Sequence, residues 1–382
     1  MEKIKSDGMR EGIIKRGKSY SYVVTVNGKK IWKSGFPTKS AAKFARDKAR
    51  LEIRDDRYTP PSKILLSDFM NRWLEKHGRN LKTKTLYTYE SHLRLYINPR
   101  LGNMRMQDIR PSHIENYFND LMDNGSRNGG ALSPRTVAYD GAILKKAFRY
   151  AFEVEGIIST NPTARVSLPK GIRSKAGECW NLDELRVFLT AMRNHRLYTF
   201  FHIAAFTGAR RGELLALRWS DFDGEALSIS KSRVQAGSVT VEESTTKGGE
   251  NGQRRVKLAT FEVQLLESYR EQQKKDRERL GIPSPFSNYI FADPDGTPFY
   301  PSTPTAVFRT MCDRLNLPRT NLHGLRHLHA TALLRDGEPL HVVAQRLGHR
   351  DAMVTATVYA HVYDEQAESA AASFSNAFHK GA

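Results

Sequence analysis

The sequence predicts a multidomain α+β protein. Its parts are a small N-terminal β-sheet with one helix, an all-α helical bundle, and a mixed, mainly α unit with a small antiparallel sheet. Three observations predict this. The chain has 382 residues, 39% of them hydrophobic, enough for two or three cores. The hydrophobic period changes along it, from two to 3.6 and then to a mixture of both. Breaks rich in Pro, Gly and Ser fall where the period changes. The expected boundaries are 1–60, 61–160, a linker at 161–178, and 179–382.

In the first part, "SYSYVVTV" alternates, with Tyr20, Tyr22, Val24 and Val26 on one face. Asn27-Gly28 is a hairpin signal, and "KKIWKSGF" returns as a second strand. Thr38 is placed to cap a helix through "KSAAKFARDKARLEI". Residues 1–60 hold 16 Lys and Arg against 7 Asp and Glu, a net +9. A strand ribbon is one of the elements that fit the major groove of DNA. Lys15, Arg16, Lys29, Lys30 and Lys33 are therefore the candidate contacts of a basic DNA-facing surface.

"TPPSK" ends that module. Four apolar stripes at helical spacing follow. They are Phe69, Trp73, Leu74; Leu86, Tyr89, Leu93, Tyr96; Ile114, Tyr117, Phe118, Leu121; and Val137, Ile143, Leu144, Phe148, Phe152. "NPRLGNM" and "DNGSRNGGALSP" supply turns between them. The linker "STNPTARVSLPKGIRSKAGE" precedes the third part. There, "ALSISKSRV", "SVTVEES" and "RRVKLA" read as strands among helices.

The whole-chain balance bounds the function. There are 60 Lys and Arg against 41 Asp and Glu, a formal +19. Such an excess favours a polyanionic partner, nucleic acid before an anionic membrane. The two cysteines, Cys179 and Cys312, define no disulfide framework or zinc ribbon and suit a reducing compartment. No apolar run approaches a membrane span, and "MEKIKSDGMREG" has no secretory h-region. A cytoplasmic location is expected.

"HGLRHLHA" (323–330) raises the chemical question. His323 and His327 lie one helical turn apart, the spacing of a metalloprotease zinc helix. The position for that helix's glutamate base holds Gly324, and Arg326 would bring a cation to the metal, so no metal is expected. A structural helix with Leu325, Leu328, Ala332 and Leu333 inward is the plainer reading. Two further segments turn it towards chemistry. "TGARRGELLALRW" (207–219) places Arg210 and Glu213 on one face, with Leu214, Leu215 and Leu217 inward and a helix starting at Thr207-Gly208. "RLGHRDAMVTATVYAHV" (346–362) sets His349 ten residues before Tyr359, with a capped helical stretch between. Arg210 and Arg326 are planar forks matched to a phosphate. His323 and His349 can add hydrogen bonds, and the Tyr359 hydroxyl can attack phosphorus. The sequence shows no carboxylate cluster for Mg²⁺. Arginines and histidines could thus stabilise a phosphodiester transition state, while a phosphotyrosine conserves the bond energy.

"TGARRGELL", "HGLRH", "LGH" and "TVYAHV", in this order and with the ten-residue step, resemble the motifs of the tyrosine recombinases, or phage integrases. The catalytic resemblance spans roughly residues 178–365. The bundle resembles the family's core-site-binding domain, and the N-terminal module its arm-site-binding domain. Ala209 stands where a leucine is common, which bears on packing only. The resemblance implies roles. Arg210 and Arg326 clamp the scissile phosphate. His323 and His349 assist proton transfer, His323 being the acceptor for the tyrosine proton. Tyr359 is the nucleophile of a 3′-phosphotyrosyl intermediate, and Glu213 orients the site. A lysine in a hairpin turn protonates the 5′-oxygen. Lys247 in "STTKGGENGQRRVKL" fits, with Lys231 and Lys257 as competitors. His327 and His329 are read as supporting the helix.

The implied activity is site-specific recombination that integrates and excises a mobile element, without a cofactor. The implied partners are double-stranded attachment sites, a homotetramer on DNA, a DNA-bending host factor and an excision directionality factor. A type IB topoisomerase shares the chemistry and is the alternative; a non-catalytic DNA-binding regulator is a third reading. Ala367, Ala370, Ala371 and Phe374 form a small apolar stripe in the tail, to pack on a neighbouring subunit or on its own domain.

Overall fold

In the computed structural model, the described residues are 12–26, 28–55, 58–126, 129–170, 180–243, 252–282, 288–349, 353, 356 and 379. The chain divides into two compact units, Met1–Ile172 and Arg173–Ala382.

The first unit opens with an antiparallel meander, β1 (Ile13–Arg16), β2 (Ser19–Val26) and β3 (Lys29–Phe36), in that spatial order. Tyr22 and Val24 are buried, as the alternation of β2 requires, against Ala42 and Ala49 of α1 (Lys39–Arg54). The Thr38 Oγ1 caps α1, accepting from the Ala41 N–H at 3.1 Å. The sequence reading missed β1: four residues, "IIKR", are too few to show a period. Ile13 nevertheless joins this small core, opposite Tyr22.

A second apolar core fills the bundle of α2 (Leu66–Gly78), α3 (Thr83–His92), α4 (Pro111–Asn124) and α5 (Pro134–Glu153). Phe69, Trp73, Leu74, Tyr89, Ile114, Tyr117, Phe118, Leu121, Val137, Ile143, Leu144 and Phe148 are buried as expected. Three stripe positions differ, and Leu86 is one, only partly buried against the core. Phe152 is exposed, because Ala151, three residues past Phe148, takes the inward position at the end of α5. Beyond α3 the chain passes through a π-turn, Leu93–Ile97. Its wider turn shifts the register, so Leu93 and Ile97 are fully buried and Tyr96 only partly.

The second unit begins with α6 (Leu182–Met192), whose Asn181 and Glu184 form a reciprocal capping box. It continues through α7 (Tyr198–Thr207), α8 (Arg211–Ala216) and four short strands. These are β4 (Ala226–Ile229), β5 (Ser232–Ala236), β6 (Val239–Glu243) and β7 (Arg254–Lys257). Then come α9 (Thr260–Arg279), α10 (Ser302–Arg314), α11 (Leu322–Arg335) and α12 (Leu340–Leu347). β4 pairs with β7 and β5 with β6, both antiparallel. The run "ALSISKSRV", read as one strand, is broken at Ser230-Lys231 and supplies two. Phe188, Phe200, Phe201, Phe291 and Phe308 centre one apolar core, which Leu214, Leu215, Leu217, Leu325 and Leu328 also enter.

The expected helix start at Thr207-Gly208 is corrected. Thr207 is the last residue of α7, and Gly208 ends that helix at φ +63°. This is the left-handed cap that glycine adopts without strain. The next helix begins at Arg211, with Arg210 in extended conformation before it. A Cβ on Gly208 would also stand 2.7 Å from Leu347 Cδ2 and 2.9 Å from His329 Cδ2. Gly208→Ala is therefore expected to lose more than the ~1–2 kcal/mol of left-handed strain alone. Gly224→Ala, at φ +93° with open space around the new methyl, should lose clearly less. Denaturant midpoints of the two variants check the difference.

Candidate active site

The site lies within the second unit and starts from one carboxylate. Glu213, on the first turn of α8, is 1% exposed. Its Oε2 accepts from the Arg210 backbone N–H at 2.9 Å and from Arg254 Nη2 at 2.8 Å. Its Oε1 accepts from Arg210 Nη1 at 2.8 Å. Burial alone would push the carboxyl up, but the Arg254 charge and hydrogen bond, then those of Arg210, outweigh it and hold it below the ordinary value. Glu213 is ionised, and it ties the half-buried Arg210 to the wholly buried Arg254.

Arg326 projects from α11 and is also buried. Its Nη1 donates to the Gly208 carbonyl at 2.8 Å and its Nη2 to the Leu347 carbonyl at 2.7 Å. These oxygens end α7 and α12, where helix dipoles leave partial negative charge. The carbonyls compensate the buried cation and fix its plane. Gly324 sits where α11 meets Thr320, close enough that any Cβ there would collide with the threonine hydroxyl. The glycine that lacks a metalloprotease base is thus a packing requirement of this helix.

His349 follows Gly348, which caps α12 at φ +67°. Its N–H donates to the Ala344 carbonyl at 3.0 Å. Burial first, then the charges of Arg326, Arg210, Arg254 and His323, bring the imidazole down to about 4. His349 is neutral at pH 7 and can accept a hydrogen bond as well as donate one. Arg210, Arg326, His323 and His349, drawn from three separated stretches of sequence, are brought together. The His323 and His327 rings meet edge to face, with centroids 4.9 Å apart.

Two arginines of this site were not singled out in the sequence. Arg254 is the first residue of β7, where Val256, on the same face by alternation, is buried. That parity was the available signal. Arg346, near the end of α12, donates to the Phe206 and Lys257 carbonyls at 3.0 and 3.1 Å and to His329 Nε2 at 3.1 Å. His329, read as structural, is held at about 3 by burial and then by Arg346. Of the competing lysines, Lys231 lies 3.5 Å from Glu242 Oε1. Lys247 and Tyr359 lie outside the described residues, as does the tail stripe.

The basic residues of the first unit do not share one face. Alternation along β3 sends Lys30 outward with Trp32, and Lys29 and Lys33 to the side of Ile31, which packs on the core. Arg16 lies over the Trp32 ring at 5.1 Å and Lys15 over Tyr20 at 5.8 Å. All five are exposed.

The site is thus a cluster of arginines and histidines on a mainly helical unit. The phage integrase family matches residues 181–366, and the N-terminal SAM-like domain of phage integrases matches residues 65–122. A XerC-like tyrosine recombinase of Caldanaerobacter subterraneus is 28% identical, over 96% of this chain and 98% of its own. The ICEBs1 integrase of Bacillus subtilis is 27% identical, over 85% and 87%. The Tn1549 transposon integrase, in complex with a circular intermediate DNA, superposes over 79% of this chain and 99% of its own, with TM-score 0.65 and 19% identity. A lambda integrase in a dimer bound to a core site does so over 94% and 96%, with TM-score 0.57 and 19% identity. The two structures show the likeness of fold. The chain belongs to the phage integrase family of tyrosine recombinases, and it is an enzyme of DNA strand breakage and rejoining. No described helix is long and apolar enough to cross a membrane.

His329 and His349, the most strongly depressed of five lowered histidines among the described residues, set an acid dependence. Their folded values, about 3 and about 4, lie below the ordinary 6.5. The unfolded chain therefore takes up protons first, and stability falls as pH drops below 6.5. Each group adds up to ~1.4 kcal/mol per pH unit. His329→Gln, which keeps a neutral acceptor for Arg346, should flatten the dependence between pH 4.5 and 6.5. Urea midpoints across that range check it.

Proposed function

We propose that this recombinase integrates and excises a mobile element at paired double-stranded attachment sites. The observation that carries the reading is the convergence of Arg210, Arg326 and His323 on a neutral His349, with Glu213 ionised behind Arg210. In this mechanism the two guanidinium groups clamp the nonbridging oxygens of the scissile phosphate. Their charge is already oriented, so it acts on the transition state with little reorganisation. His323 accepts the Tyr359 proton while the phenolate oxygen bonds to phosphorus and the bond to the 5′-oxygen breaks. Lys247 protonates that 5′-oxygen, leaving a 3′-phosphotyrosine. The reverse attack by a new 5′-hydroxyl reseals the exchanged strand. His349 holds a phosphate oxygen by donating its ring N–H.

The enzyme works as a homotetramer on two paired sites in the cytoplasm, on DNA, with a host bending protein and an excision factor as accessory partners. The ICEBs1 integrase of Bacillus subtilis and the Tn1549 transposon integrase are named for mobile elements, which supports that setting. A solved lambda integrase tetramer bound to a Holliday junction supports the assembly. The domains are an arm-binding module at 1–60, a core-binding bundle at 61–160, a linker at 161–178 and the catalytic domain at 179–382. Arg16 and Lys30, beside Trp32 on the outer face, grip the arm-type site, and Lys15, Lys29 and Lys33 add positive charge around it.

Tyr359→Phe should abolish covalent capture of a nicked duplex spanning the element's junction, on a denaturing gel, with binding retained. Arg210→Ala and Arg326→Ala should each lose at least ~10²-fold in cleavage and much less in binding, which many other phosphate contacts share. A wild-type adduct yield from Tyr359→Phe overturns the reading.

A protein starting at residue 61 should still form the adduct on a core site yet integrate poorly into a full attachment site. Loss of the tethered second contact removes an avidity of ~10²–10⁴-fold. Equal integration by both proteins would leave the basic module without an arm-binding role.

A further inference from the structure

Arg254 makes more site contacts than any role above uses. It stands at the start of β7, and its side chain is 4% exposed. All three guanidinium nitrogens are engaged. Nη2 holds Glu213 Oε2 at 2.8 Å, Nε holds the Arg346 carbonyl at 2.7 Å, and Nη1 holds the Gly252 carbonyl at 3.2 Å. Gly348 lies so close that a Cβ there would stand 2.8 Å from Nη1 and 3.0 Å from Cδ. One planar group thus spans the carboxylate behind Arg210 and the turn that carries His349.

We propose that Arg254 is a positioning residue for strand cleavage, fixing Glu213 behind Arg210 and setting the Gly348–His349 turn against the same guanidinium. The inference rests on the phosphoryl-transfer reading above. Without the Arg254 fork, Glu213 loses one of two cations, Arg210 loses its fixed counter-ion, and the turn loses the anchor at Arg346. A lysine keeps the charge but not the fork, so it can hold Glu213 or the carbonyl, and not both in one plane.

The charge has a second consequence. The groups that act on Glu213 are Arg254 and Arg210, and those on His349 are Arg326, Arg210, Arg254 and His323. Removing Arg254 lets both the carboxyl and the imidazole protonate at higher pH. Each change moves the acid limb of cleavage upward.

The test is single-turnover adduct formation against pH on the nicked junction duplex, with binding of the uncut duplex measured alongside. It uses the full-length protein and the variants Arg254→Met, Arg254→Lys, Glu213→Gln and the double variant Arg254→Met/Glu213→Gln. Arg254→Met should bind DNA like wild type and cleave roughly 10- to 100-fold more slowly, with its acid limb raised by about one pH unit. Arg254→Lys should leave the limb in place and still lose about tenfold in rate. The double variant should fall little below the worse single one, because the two residues act as a unit. If Arg254→Met fails to fold, the Arg254→Lys rate decides. Wild-type rate and limb in every folded Arg254 variant would overturn the inference, as would losses in rate and binding that run together with an unmoved limb. Absence of an adduct from the wild-type protein would count instead against the phosphoryl-transfer reading.

Discussion

The buried Glu213 carboxylate is the constraint from which the rest of the site follows. An isolated charge at that depth is too costly to keep. Here it is met by two guanidinium groups and a backbone N–H. The trio carries a net positive charge, and its partly exposed member, Arg210, faces the neutral His349. The second unit gathers the buried guanidinium groups of Arg254, Arg326 and Arg346 around the site, and each has an anion, carbonyl or ring nitrogen to accept from it. A polyanionic substrate supplies the remaining counter-charge. The chain's formal +19 is not gathered here, since residues 1–60 alone hold +9; the site depends on the placement of a few arginines.

Main-chain oxygens do much of this compensation. Arg326 holds the ends of α7 and α12, and Arg346 holds the Phe206 and Lys257 carbonyls. Helix C-termini carry unsatisfied carbonyls that need donors, and buried arginines need acceptors. Each solves the other's problem. Gly208 and Gly348 make the arrangement possible, because both helices must stop abruptly to turn their last oxygens towards the guanidinium groups.

The strongly periodic parts of the fold were legible from sequence. Tyr22 and Val24, the Thr38 cap and most of the bundle stripe follow from period and capping chemistry. Where reading failed, a local signal was weak or a longer-range choice intervened. β1 is too short to show alternation. The π-turn after His92 moves the inward position from Tyr96 to Ile97, a shift no fixed period can anticipate. Phe152 reads as core by spacing, yet Ala151 lies at the better angle. In the site, Arg210, Glu213, His323, Arg326 and His349 stood out because short motifs carry them. Arg254 and Arg346 did not, since a basic residue on a strand or at a helix end reads as solvated surface. What distinguishes them is the parity of one neighbour and partners about 40 and 90 residues away in sequence.

The grip on Arg326 has an evolutionary corollary. Both of its acceptors are peptide oxygens, which every amino acid possesses. At position 347 the hydrogen bond leaves the side chain free to change only within what packing allows, since Leu347 is fully buried among Ala330, Leu334 and Val343. Position 208 has no such freedom, because its backbone angle and crowded surroundings admit little but glycine. The lineage can therefore exchange apolar side chains of similar size at one half of the clamp and is held to glycine at the other.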